Sequence, residues 1–393
     1  MEYVISIGAS DEHIESINIA KKMGYKVIAV DGNKYSEGFK YSDISINVDI
    51  KNEEEIIKIA QAYDVKAVLP APIGKLLTTV GAVNDALKLT GISKEAALNC
   101  VDKVRFNRCL SKINIPCARQ LTAESKDEII DSVKKIGLPC ILKPRFGSGS
   151  NGIIVIERPE EILDCINKHY NERGNDVTLV EELLPGKEYG VDGVIKGGKV
   201  DIVLVREKVM TALPYRQETE YICPADIDLE LEFKIRKIIE NVCKATNINN
   251  CLINADILID NNVVYIIEMA GRPAGYFISR KIIPEVTGVN FLFEGINMAI
   301  NKECDFRVKQ KNILIVDFLD YVKGKILEFP TNEQLEKLEF IHESNLHFKC
   351  GDVVKRITCG KDIYNRGYVI IKVNNYNDIG YIKQKIKKMI KVD

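Results

Sequence analysis

Two carboxylates in one hairpin offer the most pointed chemistry in this sequence. The runs INADILID (253–260) and VVYIIEMA (263–270) read as strands, with Asp256 on the first and Glu268 on the second. A three-residue loop, 261–263, would set the two directly opposite; a two-residue loop would shift the pairing by one. Cross-strand partners hold their Cβ atoms about 4.5–5.5 Å apart. Facing carboxylates repel unless a cation or a shared proton intervenes. Mg2+ suits such a pair: it takes one or two carboxylates and fills its shell with water and phosphate oxygens. The alternative is that one of the two points to solvent. Arg272 follows Glu268 by four, among Gly271, Pro273 and Gly275. Its guanidinium can grip a phosphate or carboxylate on two prongs, although a solvated Arg at a strand end fits the spacing equally well.

Three further segments carry polar patterns. The run Lys143-Pro-Arg-Phe-Gly147-Ser148-Gly149-Ser150-Asn151-Gly152 is rich in small residues whose free N–H groups can form an anion-binding nest. It lacks the Gly-Lys-Ser/Thr of a Walker loop, and a strand follows it instead of a helix. It reads as a hairpin flap between strands 139–144 and 153–157, with Lys143 at its base; a plain Gly-rich turn is the alternative. In VEELLPGKE (180–188), Glu181 and Glu182 end a strand and Glu188 follows a Pro-Gly turn. Free backbone groups there can pair with an adenine edge, and Glu188 with ribose hydroxyls; alternatively the acids are simply solvated. Near the N-terminus, Gly8-Ala9-Ser10 follows a strand and Asp31 ends the next. The G-x-G-x-x-G fingerprint is missing, so the backbone cannot closely approach a pyrophosphate. A Rossmann-like scaffold lining a substrate is expected there, not a nicotinamide site.

The elements that must position these residues alternate in a telling way. Strands 3–8, 26–31 and 66–69 interleave with helices 12–23, 53–63 and 75–89, the pattern of βαβ units on a parallel sheet. A helix over 93–112 and another over 126–136 follow. Strands 139–144, 153–157, 177–182, 189–195, 200–208, 253–260 and 263–270, mostly joined by short loops, then imply antiparallel sheet interrupted by helices 159–172, 230–246 and 285–301. Strand-like runs NILIVDFLD and GYVIIKV and a basic helix over 377–391 complete the chain. The fold class is thus α/β plus α+β. The expected domains are residues 1–100, 101–305 (with a flap subdomain near 120–185) and 306–393.

Composition excludes several roles. The chain has 393 residues, 55 basic against 56 acidic, for a formal net charge of −1. No basic excess drives binding to nucleic acid or anionic membrane. Trp is absent, which removes the best stacking platform for single strands. The eleven Cys include no C-x-x-C pair and form no ligand cluster with the four His, so buried reduced thiols are expected. The N-terminus MEYVISIGAS lacks a signal-peptide pattern, and no apolar run nears the roughly 18 residues of a membrane helix. A cytoplasmic location is expected.

Taken in order, these segments resemble the ATP-grasp superfamily across essentially the whole chain: a Rossmann-like start, Asp102-Lys103, Lys143, the Gly-rich flap, Glu181 with Glu188, then Asp256, Glu268 and Arg272. Asn365-Arg366-Gly367-Tyr368-Val369 looks like the closing strand of carboxylate–amine ligases and of the biotin carboxylase and carbamoyl-phosphate synthetase group. Arg206-Glu207-Lys208 and Tyr221-Ile222-Cys223-Pro224 look like the ligase branch, including L-amino-acid ligases. The resemblance implies that Lys103 and Lys143 touch nucleotide phosphates. Glu181 would receive the adenine amino group, the backbone of Glu182 and Leu184 would hold the ring, and Glu188 the ribose. Residues 147–152 would close over the β- and γ-phosphates. Asp256 and Glu268 would hold Mg2+, with Mn2+ able to substitute. Arg272 would steady the transferred phosphoryl group, beside Lys208. One departure stands out: the family commonly reads Glu-x-Asn-x-Arg, whereas this chain has Glu268-Met-Ala270-Gly-Arg272.

The implied activity is an ADP-forming ligation of a carboxylate to an amine through an acyl phosphate, with an amino acid or small peptide as the expected substrate. Lys208, Tyr215, Arg216, Arg280 and the 270–278 loop would select it. Glu207, Glu218 and Asp256 are the candidates for the base. The expected partners are the small-molecule carboxylate and amine, with neither nucleic acid nor membrane; a homodimer is compatible with the reading. The alternatives are a nucleotide-binding sensor or inactive relative, suggested by Ala270, and a biotin-carboxylase-like carboxylase.

Overall fold

The computed structural model describes residues 2–147, 152–173 and 176–393, without the side chains of residues 172 and 173. Strands β1 (Tyr3–Ile7), β2 (Lys26–Asp31) and β3 (Ile44–Asn47) pair in parallel in that order. β1 and β2 are almost wholly buried, as expected for a parallel sheet covered on both faces. The covering helices are α1 (Asp11–Lys22), α2 (Glu53–Ala62) and α3 (Leu77–Leu87). The expected strand 66–69 reduces to a parallel bridge between Val68 and Ile5, while β3, ISIN, is too short and polar for its pattern to stand out.

The single helix expected over 93–112 is two, α4 (Lys94–Val101) and α5 (Lys103–Ser111). Asp102 breaks it. Its backbone is extended, and its carboxylate accepts from the Val104 and Arg105 N–H groups, starting a new helix instead of continuing the old one.

A second sheet, entirely antiparallel, runs β4 (Gln120–Ala123), β7 (Thr178–Glu182), β5 (Cys140–Pro144), β6 (Ile154–Ile156). Helices α6 (Lys126–Ile136) and α7 (Ile162–Arg173) cover it, burying Ile129, Val133 and Ile166 against Leu142, Ile156 and Val180. α6 keeps its expected bounds because Ser125 caps it and Gly137, at φ 90°, ends it.

The largest sheet has eight strands. Its first members are β8 (Lys187–Lys196), β9 (Lys199–Met210), β10 (Glu218–Cys223), β11 (Cys251–Asp260), β12 (Val263–Ala270) and β13 (Ile313–Asp317). They lie in the order β12-β11-β8-β9-β10-β13, and Gly367–Val373 and Ile341–Leu346 extend the sheet beyond β13. On one face Ile253, Ala255, Ile257 and Ile266 pack against Ile235, Ile239 and Val242 of helix α8 (Leu229–Thr246). Each of the isoleucines and Val242 contributes about 1.5–3 kcal/mol when fully buried. The alternate residues of β11, Asn254 and Asp256, therefore face the other way.

The helix expected over 285–301 is also interrupted. A π-helical turn (Ile278–Ile282) leads into α9 (Ile283–Thr287), Gly288 ends it at φ 70°, and α10 (Phe291–Ala299) restarts with Asn290 as its cap. Of the cysteines, Cys140, Cys223, Cys243 and Cys251 are buried as expected, but Cys350 and Cys359 are exposed. Among the described residues no helix is long and apolar enough to cross a membrane.

Candidate active site

Between the antiparallel sheets lies a cleft of about 470 Å³. Lys103, Lys143, Gly147, Glu181, Glu182, Leu184, Glu188, Lys208, Asp256, Glu268 and Arg272 all line it. Gly152 does not, and Ser148, Gly149, Ser150 and Asn151 lie outside the described residues. Lys75, Gln120 and Asn254 line it without having been singled out in the sequence. Asn254 had a legible signal: it lies two residues before Asp256 and so shares its face of β11. Of the three candidate bases, Glu218 and Asp256 line the cleft, whereas Glu207 pairs with Lys187, 2.9 Å away, and does not. Arg216 lines it; Tyr215 and Arg280 do not.

The carboxylate pair is set by an irregular hairpin. Its turn is the two residues Asn261 and Asn262, both at positive φ (46° and 66°), which Asn tolerates well. Asp260 pairs with Val263, and regular pairing runs to Ile257 and Ile266. A bulge then adds Ile267 to β12, so that Asp256 pairs with Glu268. The bulge also reverses the alternation. Val264 and Ile266 are in the core before it and Met269 after it, which leaves Glu268 on the cleft side.

The cations are arranged around this pair. Lys208 Nζ is 2.7 Å from Asp256 and 3.2 Å from Glu218. Burial works against the Lys208 charge, but these two carboxylates outweigh it and hold its pKa above the ordinary lysine value. Burial likewise opposes the Asp256 charge, and Lys208, Arg206 and Arg272 more than offset it, keeping Asp256 below the usual carboxylate range. Lys143 Nζ lies 2.5 Å from Glu181, whose other oxygen accepts from Gln120 at 2.6 Å. Glu182 turns its side chain to Arg119, whose carbonyl also accepts the Glu182 N–H at 3.1 Å. Glu188 is paired with Arg216.

Lys103 is held by the segment that follows β5. Its Nζ donates to the Gly147 carbonyl at 2.9 Å. Burial lowers its pKa, with repulsion from Lys143 and Lys75 adding to the effect and Glu268 and Glu181 opposing it. Asp102, next in sequence, grips Arg145 through both oxygens at 2.5 and 2.9 Å, tying the start of α5 to the segment just after β5. Arg272 donates to the Pro273 carbonyl. Burial pushes the Cys100 thiol in the cleft up to about 12, which argues against thiolate chemistry.

On the same face of the sheet, the fully buried Asp192 pairs with Arg206 and accepts from Asn254 at 3.1 Å. Gly190 permits this. A Cβ there would collide with the Arg206 guanidinium, which crosses over Gly190 to reach Asp192.

The donor set fits a nucleotide-borne divalent cation. Asp256 and Glu268 offer hard oxygens on one face, with lysines above them for phosphates. Among the described residues no group of three or more His, Cys, Asp or Glu could hold a metal by itself, so water and phosphate oxygens would complete the shell. The dinucleotide alternative fares worse. Asp31 is occupied by the Ala9 N–H at 2.8 Å, and a Cβ at Gly8 would meet the His13 ring.

Residues 136–280 match the family model described as the ATP-grasp domain. The chain carries in that segment the residues from Lys143 to Arg272 whose order resembles the family's. Its structure is similar over its full length to solved ones. An L-amino acid ligase from Bacillus licheniformis superposes with a TM-score of 0.80 at 16% identity, covering 100% of this chain and 99% of the other. A phosphoribosylglycinamide synthetase from Anaerococcus prevotii gives 0.72 at 20%, covering 100% and 99%. A biotin carboxylase from Campylobacter jejuni gives 0.70 at 18%, covering 100% and 92%. These likenesses bear out the expected fold class of an α/β start followed by antiparallel sheets.

Proposed function

We propose that the protein is an ATP-dependent, ADP-forming ligase joining a carboxylate to an amine, with an amino acid or small peptide as substrate. One observation carries this reading: Asp256 and Glu268 oppose one another on the floor of a cleft whose other walls bring in Lys103, Lys143 and Arg272. A base-edge and ribose end (Glu181, Glu182, Leu184, Glu188) and a phosphate end thus share one cavity. The names of the similar proteins, ligases among them, agree with this reading.

In the proposed reaction, a substrate carboxylate oxygen attacks the γ-phosphorus of ATP and the bond to the ADP oxygen breaks. The amine then attacks the acyl carbon, the carbon–oxygen bond to phosphate breaks, and inorganic phosphate leaves. Lys143 and Lys103 hold the phosphate chain, and Arg272 takes the charge of the group in flight. Mg2+ bound by Asp256 and Glu268 would neutralise phosphate oxygens. Glu218, on the cleft and 3.2 Å from Lys208, is the residue best placed to take the amine proton.

Thermal unfolding with Mg-ATP, ADP and NAD tests the first half: the adenine nucleotides should raise the midpoint and NAD should not. ADP release across pairs of amino acids tests the second half. Release that depends on both a carboxylate and an amine supports the ligase. Nucleotide binding without substrate-dependent release would favour the second reading, a nucleotide sensor, for which Ala270 is the supporting feature.

A further inference from the structure

Ala270 lies directly opposite Asn254, in register with the Asp256–Glu268 pair. Opposed residues on antiparallel strands bring their Cβ atoms within about 4.5–5.5 Å. An amide rooted at position 254 therefore covers much of the space that a side chain at 270 would reach.

Asn254 is on the cleft side of β11. Ile253 and Ala255 on either side are in the core, while Asn254 lines the cavity with Asp256. Its amide is also oriented. Nδ2 donates to Asp192 Oδ1 at 3.1 Å, and Asp192, its register partner on β8, is fully buried and ion-paired with Arg206. A carboxylate held by a guanidinium accepts, so the amide nitrogen must face it and the amide oxygen must face away. Among the described residues no donor bonds that oxygen.

We infer that Asn254 supplies, from β11, the neutral oxygen ligand for a second nucleotide-bound divalent cation that Ala270 does not supply from β12. The inference rests on the ATP-dependent reading and deepens it. Two carboxylates alone leave a second ion with one shared protein ligand. A neutral amide adds an oxygen without adding charge to a pair of acids that already face each other. Asp192 and Arg206 would then be the layer behind the ligand, fixing the amide as outer partners of metal ligands do. This arrangement also gives Gly190 a purpose, since Arg206 reaches Asp192 only across it.

The test counts Mn2+ bound per full-length chain saturated with a non-hydrolysable ATP analogue, read from the free-Mn2+ paramagnetic resonance signal. Wild type should bind two. Asn254→Ala should bind the second ion about 10–100-fold more weakly, as loss of a ligand or its support does. Asn254→Ala with Ala270→Asn should bind two again, the amide having moved to the opposite strand. Thermal unfolding of each variant, and its affinity for the analogue, shows that it is folded. Two Mn2+ at unchanged affinity in Asn254→Ala overturns the inference and leaves the ligase reading standing. A single Mn2+ in wild type overturns it as well. Failure of wild type to bind the analogue at all overturns both, and the midpoint shift with Mg-ATP distinguishes that case.

Discussion

Asp256 and Glu268 face each other although the turn between their strands has only two residues, because the bulge at Ile267 supplies the extra step. That one irregularity decides which acid meets Asp256. It also turns Glu268 out of the core and toward Lys103, whose charge it supports. The pair is thus placed by backbone geometry before any ligand arrives.

The first prediction concerns turnover. Glu268→Gln and Lys143→Ala should each reduce the rate of ADP release by about 10²–10³-fold, the usual effect of removing one group that stabilises developing charge. Neither should unfold the protein, because both side chains end in the cleft. A coupled ADP assay checks this; wild-type rates in either variant would show that the phosphates bind elsewhere.

Asp102 leads to a second prediction, about a residue that need not touch the nucleotide. It caps α5 and holds Arg145 just after β5. Asp102→Ala should cost about 1–2 kcal/mol in stability from the lost cap. It should also weaken nucleotide binding, because Lys103 and Gly147 lose their common anchor. Urea unfolding and a nucleotide titration read the two effects separately, and an unchanged dissociation constant would confine Asp102 to a structural role.

Much of this was legible in the sequence, for physical reasons that differ by element. Helix α6 kept its bounds because Ser125 and Gly137 act within one turn of its ends. Asp256 and Glu268 could be picked out because charged side chains on apolar strands need a purpose, whereas Lys103, at the start of a helix, was marked only by the resemblance to the ATP-grasp order. What escaped was decided by competition or by distance. Asp102 and Gly288 broke two helices whose apolar spacing looked continuous. The bulge at Ile267 has no compositional mark, since Ile fits a regular strand equally well. The bond that orients Asn254 was hidden because its partner Asp192 lies 62 residues away, on a different strand.

Gly190 gives a third prediction. Its φ is ordinary, so only the close approach of Arg206 requires glycine there. Gly190→Ala should destabilise the protein by about 1–3 kcal/mol through overpacking. Because displacing Arg206 leaves a buried carboxylate behind, the loss should exceed that of an alanine placed at Gly197, where a Cβ meets nothing but the backbone is strained at φ 56°. Denaturant midpoints of the two variants decide it, and equal losses would mean that Arg206 simply moves aside.

The last prediction concerns pH and a buried pair that does not line the cleft. Glu220 on β10 pairs in register with Asp317 on β13, both buried, and Lys383 reaches in from the helix Ile379–Lys388 to bond Glu220. Burial, with the Asp317 charge adding to it, pushes the Glu220 carboxyl up to about 7, against the pull of Lys383. Its folded value thus exceeds the 4.5 of the free side chain, and the folded state keeps the proton longer. This contribution favours folding in full below about pH 4.5 and is lost as the pH rises through about 7. The slope from one such group is at most about 1.4 kcal/mol per pH unit. Glu220→Gln cannot lose that proton, so the variant should gain on wild type between pH 5 and pH 8 even if it is less stable at both. Urea midpoints at the two pH values provide the comparison. A difference between variant and wild type that stays constant across the range would mean that Lys383 keeps Glu220 charged throughout.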